Sequence, residues 1–222
     1  MSDAAAARRR LLVATTNAGK LREIAGILEG LRIDIVSLAD VAGVPEPEET
    51  GATFAENARL KALYYYQATG LPSVADDSGL EIDALDGVPG VHSARWEGTD
   101  YAGKFRKIYQ LLAERSALRS PARFVCRVAL ADGGGIVFEA EGVIEGHIAD
   151  EPRGDLGFGY DPIFFYPPLG RTTAELDRDL KATVSHRGQA FGKLRTYLAS
   201  SLLSNASVQV GRRDGTAPGE DV

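Results

Sequence analysis

The chain has a single cysteine, Cys126, so an intramolecular disulfide is excluded. Its place in an apolar run predicts a buried thiol in a reducing compartment. Long hydrophobic runs are missing as well. The apolar stretch behind Arg8-Arg9-Arg10 ends after four residues, Leu11 to Ala14. That is too short for a signal core or a membrane span, which predicts a cytoplasmic protein with no membrane partner. Positive charge is also in short supply, with 25 Lys and Arg against 31 Asp and Glu. A net charge of −6 argues against nucleic acid as a partner held through its phosphates. A polyanion can still be taken up locally, through a focused basic pocket or metal ions.

What remains is an ordinary soluble composition, 44% apolar and 25% charged, in a chain of 222 residues that can bury a substantial core. No repeat or long linker divides it. Residues 11–203 read as one domain, with residues 1–10 as a disordered extension and residues 204–222, which lose aromatics, as a disordered tail.

Leu11 to Ala14 reads as a buried strand, and Asn17 caps a helix with Leu21, Ile24, Ile27, Leu28 and Leu31 at helical spacing. Ile33 to Val36 reads as a strand. Thr53-Phe54-Ala55-Glu56 is a capping box that opens a helix to about Thr69. Tyr101 to Arg115 is amphipathic. Phe124–Leu130, Ile136–Ala140 and Val143–Ile148 read as an antiparallel meander turning at Asp132–Gly135 and at Gly142. Thr172 to Ala182 reads as a helix, Ser185–Gly188 as a polar junction, and a last amphipathic helix begins near Gln189. His147 has no ligand types at metal spacing and reads as structural.

Four stretches carry chemistry. At Thr15-Thr16-Asn17-Ala18-Gly19-Lys20 a strand meets a helix N-terminus, where free N–H groups, the helix dipole and Lys20 suit an anionic oxygen. The stretch is neither a P-loop nor a dinucleotide fingerprint, because the required glycines are missing. Glu48-Glu49 precede the helix at Thr53 and can present a carboxylate to a metal, or simply solvate a loop. Val74-Ala75-Asp76-Asp77-Ser78-Gly79-Leu80 reads as strand, turn, strand, with two like charges that call for a cation or a proton. Gly154 to Asp161 interleaves glycines with Phe158 and Tyr160, a loop suited to stacking on a flat ring or to packing in the core. Arg95 is a candidate phosphate or carboxylate partner. With Lys181, His186 and Arg187 these pieces suggest carboxylate-held Mg²⁺ acting on a nucleoside polyphosphate.

The chain also resembles the inosine triphosphatase family, the XTP/dITP pyrophosphatases. The resemblance rests on Ala14–Lys20, Glu48–Gly51 with Glu56-Asn57-Ala58, Ala75–Leu80, Pro89–Arg95, Gly157–Pro162 and Ser185-His186-Arg187, in the family's order. It departs at Leu180, where many members carry an acid before the lysine. The resemblance implies an α/β fold, with a long twisted mixed sheet flanked by helices and two lobes around a central substrate cleft, and a homodimer. It implies Mg²⁺-dependent hydrolysis of ITP, dITP and XTP to the nucleoside monophosphate and pyrophosphate. By position, Thr15, Thr16, Asn17, Ala18, Gly19 and Lys20 would hold phosphates. Glu48 and Asp77 would bind Mg²⁺, with Asp77 also the general base. Ser78, Phe158, Gly159, Tyr160, Asp161, Lys181, His186 and Arg187 would contact substrate, Phe158 by stacking.

Overall fold

The computed structural model describes residues 8–41, 43–98 and 100–211. Among these residues seven strands form one sheet, in the order β2-β1-β3-β4-β5-β6-β7. They are β1 (Arg9–Val13), β2 (Ile33–Ser37), β3 (Ser73–Ile82), β4 (Pro121–Asp132), β5 (Gly135–Ile148), β6 (Phe164–Tyr166) and β7 (Arg171–Thr172). β1 runs parallel to β2 and β3, and every later pairing is antiparallel, so the sheet is mixed. Five helices flank it: α1 (Ala18–Leu28), α2 (Phe54–Thr69), α3 (Tyr101–Glu114), α4 (Arg178–Val184) and α5 (His186–Gly211).

Strand alternation sorts the core. Leu11, Val13, Val74, Cys126 and Val128 point toward α1 and α5, against Ile24, Leu28, Phe191 and Leu194. Their neighbours Leu12, Ala14, Ala75 and Ala129 point the other way, against Ala58, Ala62 and Tyr65 of α2. Farther along the same strands Leu80, Ile82, Phe124 and Ile144 pack with Ile108 and Leu112 of α3. The four residues between, Asp76 to Gly79, belong to none of these clusters. Apolar packing therefore gathers at both ends of β3 and leaves a polar waist.

Several boundaries differ from the sequence reading. Asp76–Gly79 is no turn, since β3 runs unbroken through it and pairs with β4 from Ser73↔Ala131 to Ile82↔Ala122. Gly142 likewise lies inside the continuous strand β5. Both glycines mark close approach rather than reversal. A Cβ on Gly79 would stand 2.4 Å from the Gly90 carbonyl oxygen, and one on Gly142 would stand 1.9 Å from that of His186. The helix read over Thr172–Ala182 is broken. Glu175 folds back to accept from the Thr172 N–H at 2.7 Å, and Asp177 then caps α4 through the Leu180 N–H at 2.8 Å. Strand β1 begins at Arg9, held by an ion pair with Asp132, and so takes two residues from the expected extension. α5 begins at His186 and is described to Gly211, past Ser204 where the tail was placed. Residues 1–7 and 212–222 of the expected extension and tail lie outside the described residues. His147, read as structural, lies in β5 with its ring 4.7 Å from that of Phe165.

Candidate active site

A cavity of about 250 Å³ opens at the polar waist. Its walls include Thr15, Thr16, Asn17, Lys20, Asp77, Ser78, Phe158, Gly159, Tyr160, Asp161, Lys181, His186 and Arg187. Residues from four separate stretches of sequence thus meet in one place. Glu48 is not among them. It is exposed, while Glu49 turns inward and lines the cavity.

At the start of α1 the Asn17 carboxamide oxygen accepts from the N–H groups of Gly19 (2.8 Å) and Lys20 (3.1 Å). Two of the donors expected for an anion are therefore already used by the cap. Gly19 itself is buried under the Phe158 ring, and a Cβ there would lie 2.7 Å from that ring. From the first turn of α1, Lys20 points across to β3, where its Nζ donates to Asp76 Oδ2 at 3.0 Å.

Asp76 and Asp77 diverge because consecutive strand residues face opposite sides of a sheet. Asp76 Oδ2 also accepts from Arg187 Nη2 at 3.3 Å and from Ser78 Oγ at 3.0 Å. Burial opposes its charge, but Lys20, Arg187 and Lys61 outweigh burial and hold the carboxyl well below the usual carboxylate range. Asp77 accepts from Asn57 Nδ2 at 3.0 Å and lies 3.7 Å from Lys61 Nζ. Here burial dominates and pushes the carboxyl up, against the pull of Lys61 and Lys20. The Lys61 ammonium also reaches Glu49 Oε1 at 2.6 Å, and Arg95 Nη2 reaches Glu49 Oε2 at 3.0 Å. Glu49 and Asp77 therefore converge on one cation.

The opposite wall is cationic and aromatic. Lys181 Nζ bridges Asp161 Oδ2 (2.5 Å) and Glu23 Oε1 (2.8 Å), and Arg187 Nη1 donates to Glu23 Oε2 at 2.8 Å. Burial raises Glu23, yet Arg187 and Lys181 bring it below its ordinary value. The Phe158 ring lies over this pair, 4.9 Å from Lys181 Nζ and 5.5 Å from the Arg187 guanidinium. Tyr160, the other aromatic of the loop, is buried. Its hydroxyl donates to the Ser93 carbonyl at 2.9 Å. His186 stacks on Phe124 with ring centroids 4.7 Å apart, and burial together with Arg187 and Lys181 keeps the imidazole neutral. The N–H groups of His186 and Arg187 open α5 and have no helical acceptor.

Lys61 and Glu23 have no part in the sequence reading, Asn57 enters it only within the Glu56-Asn57-Ala58 stretch and without a role, and Glu48 is named there in place of Glu49. A signal did exist. Asn57 and Lys61 are four residues apart on α2, so they share the face turned to β3. Arg95, a candidate phosphate or carboxylate partner in the sequence, pairs with the Glu49 carboxylate.

Relatives share this chain over most of their length. A "dITP/XTP pyrophosphatase" of Exiguobacterium is 48% identical over 189 residues, which is 85% of this chain and 96% of the relative. The protein of that name from Geobacter sulfurreducens is 48% identical over 192 residues, 85% of this chain and 96% of its own. The solved structure of a HAM1 protein from Coxiella burnetii superposes with a TM-score of 0.80 at 42% identity. That match covers 86% of this chain and 99% of the other. With the family model matching residues 11–197, the chain belongs to the Ham1 family.

Proposed function

We propose that this chain hydrolyses non-standard purine nucleoside triphosphates, dITP, XTP and ITP, to the nucleoside monophosphate and pyrophosphate. The relatives' shared name supports the reaction and the first two substrates. The observation that carries the reading is Asp77, a buried carboxylate at the cavity wall with cationic Lys20 and Lys61 around it and an aromatic shelf opposite.

In this reading the triphosphate lies along Thr15–Lys20, with Lys20 offsetting phosphate charge at the end of α1. Asp77 orients a water and takes its proton as the oxygen attacks the α-phosphorus. The bond from that phosphorus to the bridging oxygen breaks, and pyrophosphate leaves. Asp76 does not act on the water. It holds Lys20 and Arg187 in place.

The residues fit Mg²⁺, because two hard oxygen donors, Glu49 and Asp77, already converge on the Lys61 ammonium. Among the described residues no three His, Cys, Asp or Glu side chains form a cage. A pair of carboxylates is what a Mg²⁺ shared with substrate phosphates requires. Bound there, the ion would neutralise phosphate charge and polarise the attacking water. Glu49 thus replaces Glu48 in the ligand pair.

The base stacks on Phe158, with Lys181 and Asp161 at its edge. The N–H groups of His186 and Arg187, which open α5 without a helical acceptor, favour a keto oxygen at purine C6 and disfavour an amino group. Clearing such triphosphates keeps them out of DNA and RNA. The family resemblance supports a homodimer, and the buried lone Cys126 suits a cytoplasmic location. No helix among the described residues is long and apolar enough to cross a membrane.

The test is product analysis with XTP, dITP and ITP in Mg²⁺ against ATP and a pyrimidine panel. Monophosphate plus pyrophosphate from the keto purines is expected. Orthophosphate plus diphosphate, or equal turnover of every base, would overturn the reading.

A further inference from the structure

Lys104, on α3, is a charged side chain with no exposure at all. Among the described residues no carboxylate lies within 4 Å of it. Its ammonium donates to two successive carbonyls, Ser93 (3.1 Å) and Ala94 (2.7 Å). It also lies over the Tyr101 ring at 4.6 Å and near that of Tyr160 at 5.7 Å. Burying a cation without an anion is costly, and carbonyl dipoles and ring faces only partly offset that cost. Burial accordingly pulls the Lys104 ammonium below its ordinary lysine value.

Those two carbonyls mark a junction. The Ser93 oxygen also accepts from the Tyr160 hydroxyl at 2.9 Å, tying in the loop that carries Phe158. Ser93 Oγ accepts from the Leu80 N–H at 2.9 Å and donates to the Gly90 carbonyl at 2.6 Å, fixing the segment to β3 just beyond Asp77. The next residue is Arg95, whose guanidinium holds Glu49 at 3.0 Å.

We infer that Lys104 is a positioning residue of the active site. It clamps the Ser93-Ala94 backbone so that Arg95 and Glu49 on one wall keep register with the Tyr160 loop on the other. The inference rests on the site reading above and extends it to a residue that touches neither substrate nor metal.

The test compares wild type, Lys104→Met, Arg95→Ala and the double variant, with XTP and Mg²⁺. Lys104→Met retains the bulk and loses the donors. Its KM is expected to rise roughly tenfold with kcat within about twofold, the signature of lost uniform binding. The double variant should show less than the product of the single effects, because Lys104 acts through the Arg95 segment. Trp96 is the only tryptophan in the chain and directly follows Arg95, so its acrylamide quenching reports on this segment without reference to activity. Quenching should increase in Lys104→Met while the far-ultraviolet circular dichroism stays native. Should that variant fail to fold, Lys104→Gln, with a shorter neutral donor, is expected to give the same KM and quenching changes at smaller size. An active wild type whose variant keeps the wild-type KM and quenching, or loses only thermal stability, overturns this inference alone. A wild type that releases no pyrophosphate overturns the site reading and this inference with it.

Discussion

Asp76 and Asp77 are neighbours in one strand and have opposite surroundings. Asp76 Oδ2 is held by Lys20 at 3.0 Å and Arg187 at 3.3 Å, whereas Asp77 accepts from Asn57 at 3.0 Å and faces the Glu49–Lys61 pair. The same pleat gives one carboxyl a depressed pKa and the other a raised one. Two like charges coexist because Lys20 and Lys61 act on both, while Arg187 adds to Asp76 and burial outweighs the cations at Asp77.

Asp77→Asn should remove the proton acceptor while keeping the hydrogen bond to Asn57 within reach of a carboxamide rotation. Pyrophosphate release from XTP is expected to fall by about 10² to 10⁴-fold with circular dichroism unchanged. Retained turnover would take Asp77 out of the base role.

Glu49 and Glu48 can be told apart by titrating Mg²⁺. If Glu49 holds Mg²⁺ as proposed, Glu49→Gln should raise the Mg²⁺ concentration for half-maximal rate by about tenfold or more, since that ligand and the anchor of Arg95 are lost together. Glu48→Gln, at an exposed position, should leave that titration as in the wild type.

Lys20→Ala should lower kcat/KM for the triphosphate by about 10²-fold, as expected for losing one charged donor at the developing negative charge. Because Lys20 also pairs with buried Asp76, the melting temperature should fall too. A variant with unchanged kinetics would show that the triphosphate does not lie on the α1 terminus.

Acid should weaken the fold through Asp76 and Glu23, whose folded pKa values lie below the ordinary carboxylate values of about 4. The unfolded chain then binds more protons than the native one as pH falls past that ordinary value, so stability falls with it. The contribution is complete above about pH 5 and lost progressively below it, as the folded pKa values are approached. Urea midpoints at pH 7, 5, 4 and 3 measure this slope. Asp76→Asn should flatten it, at a cost of about 3 kcal/mol at pH 7 for leaving Lys20 and Arg187 with less opposing charge.

Adding a methyl group at Gly142 tests the contact between β5 and α5. Gly142→Ala would place a Cβ 1.9 Å from the His186 carbonyl oxygen, and the helix bearing His186 and Arg187 must shift. Stability should drop by about 1 to 3 kcal/mol in denaturant unfolding, with KM for XTP raised.

Local chemistry in the sequence was sufficient for most of the elements and for most of the residues that meet at the cavity. Asn17 and Thr53 cap their helices as their side chains dictate, and the Leu11-Leu12-Val13 run is buried on both faces of the sheet. The motif stretches at Thr15–Lys20, Asp77-Ser78, Phe158–Asp161 and His186-Arg187 all reach the same cavity, and Lys181 joins them although Leu180 breaks the family pattern. Only the tertiary structure decided orientation. Gly79 and Gly142 look like turn residues because a sequence carries no record of which backbone will press against them from afar. Glu48 and Glu49 are chemically identical, and the one that faces inward is chosen by Lys61 and Arg95, residues 12 and 46 positions later by count from Glu49. Asp76 and Asp77 read in sequence as a pair in a turn but lie on opposite faces of β3, since a charge's role is set by the partners that the fold brings to it.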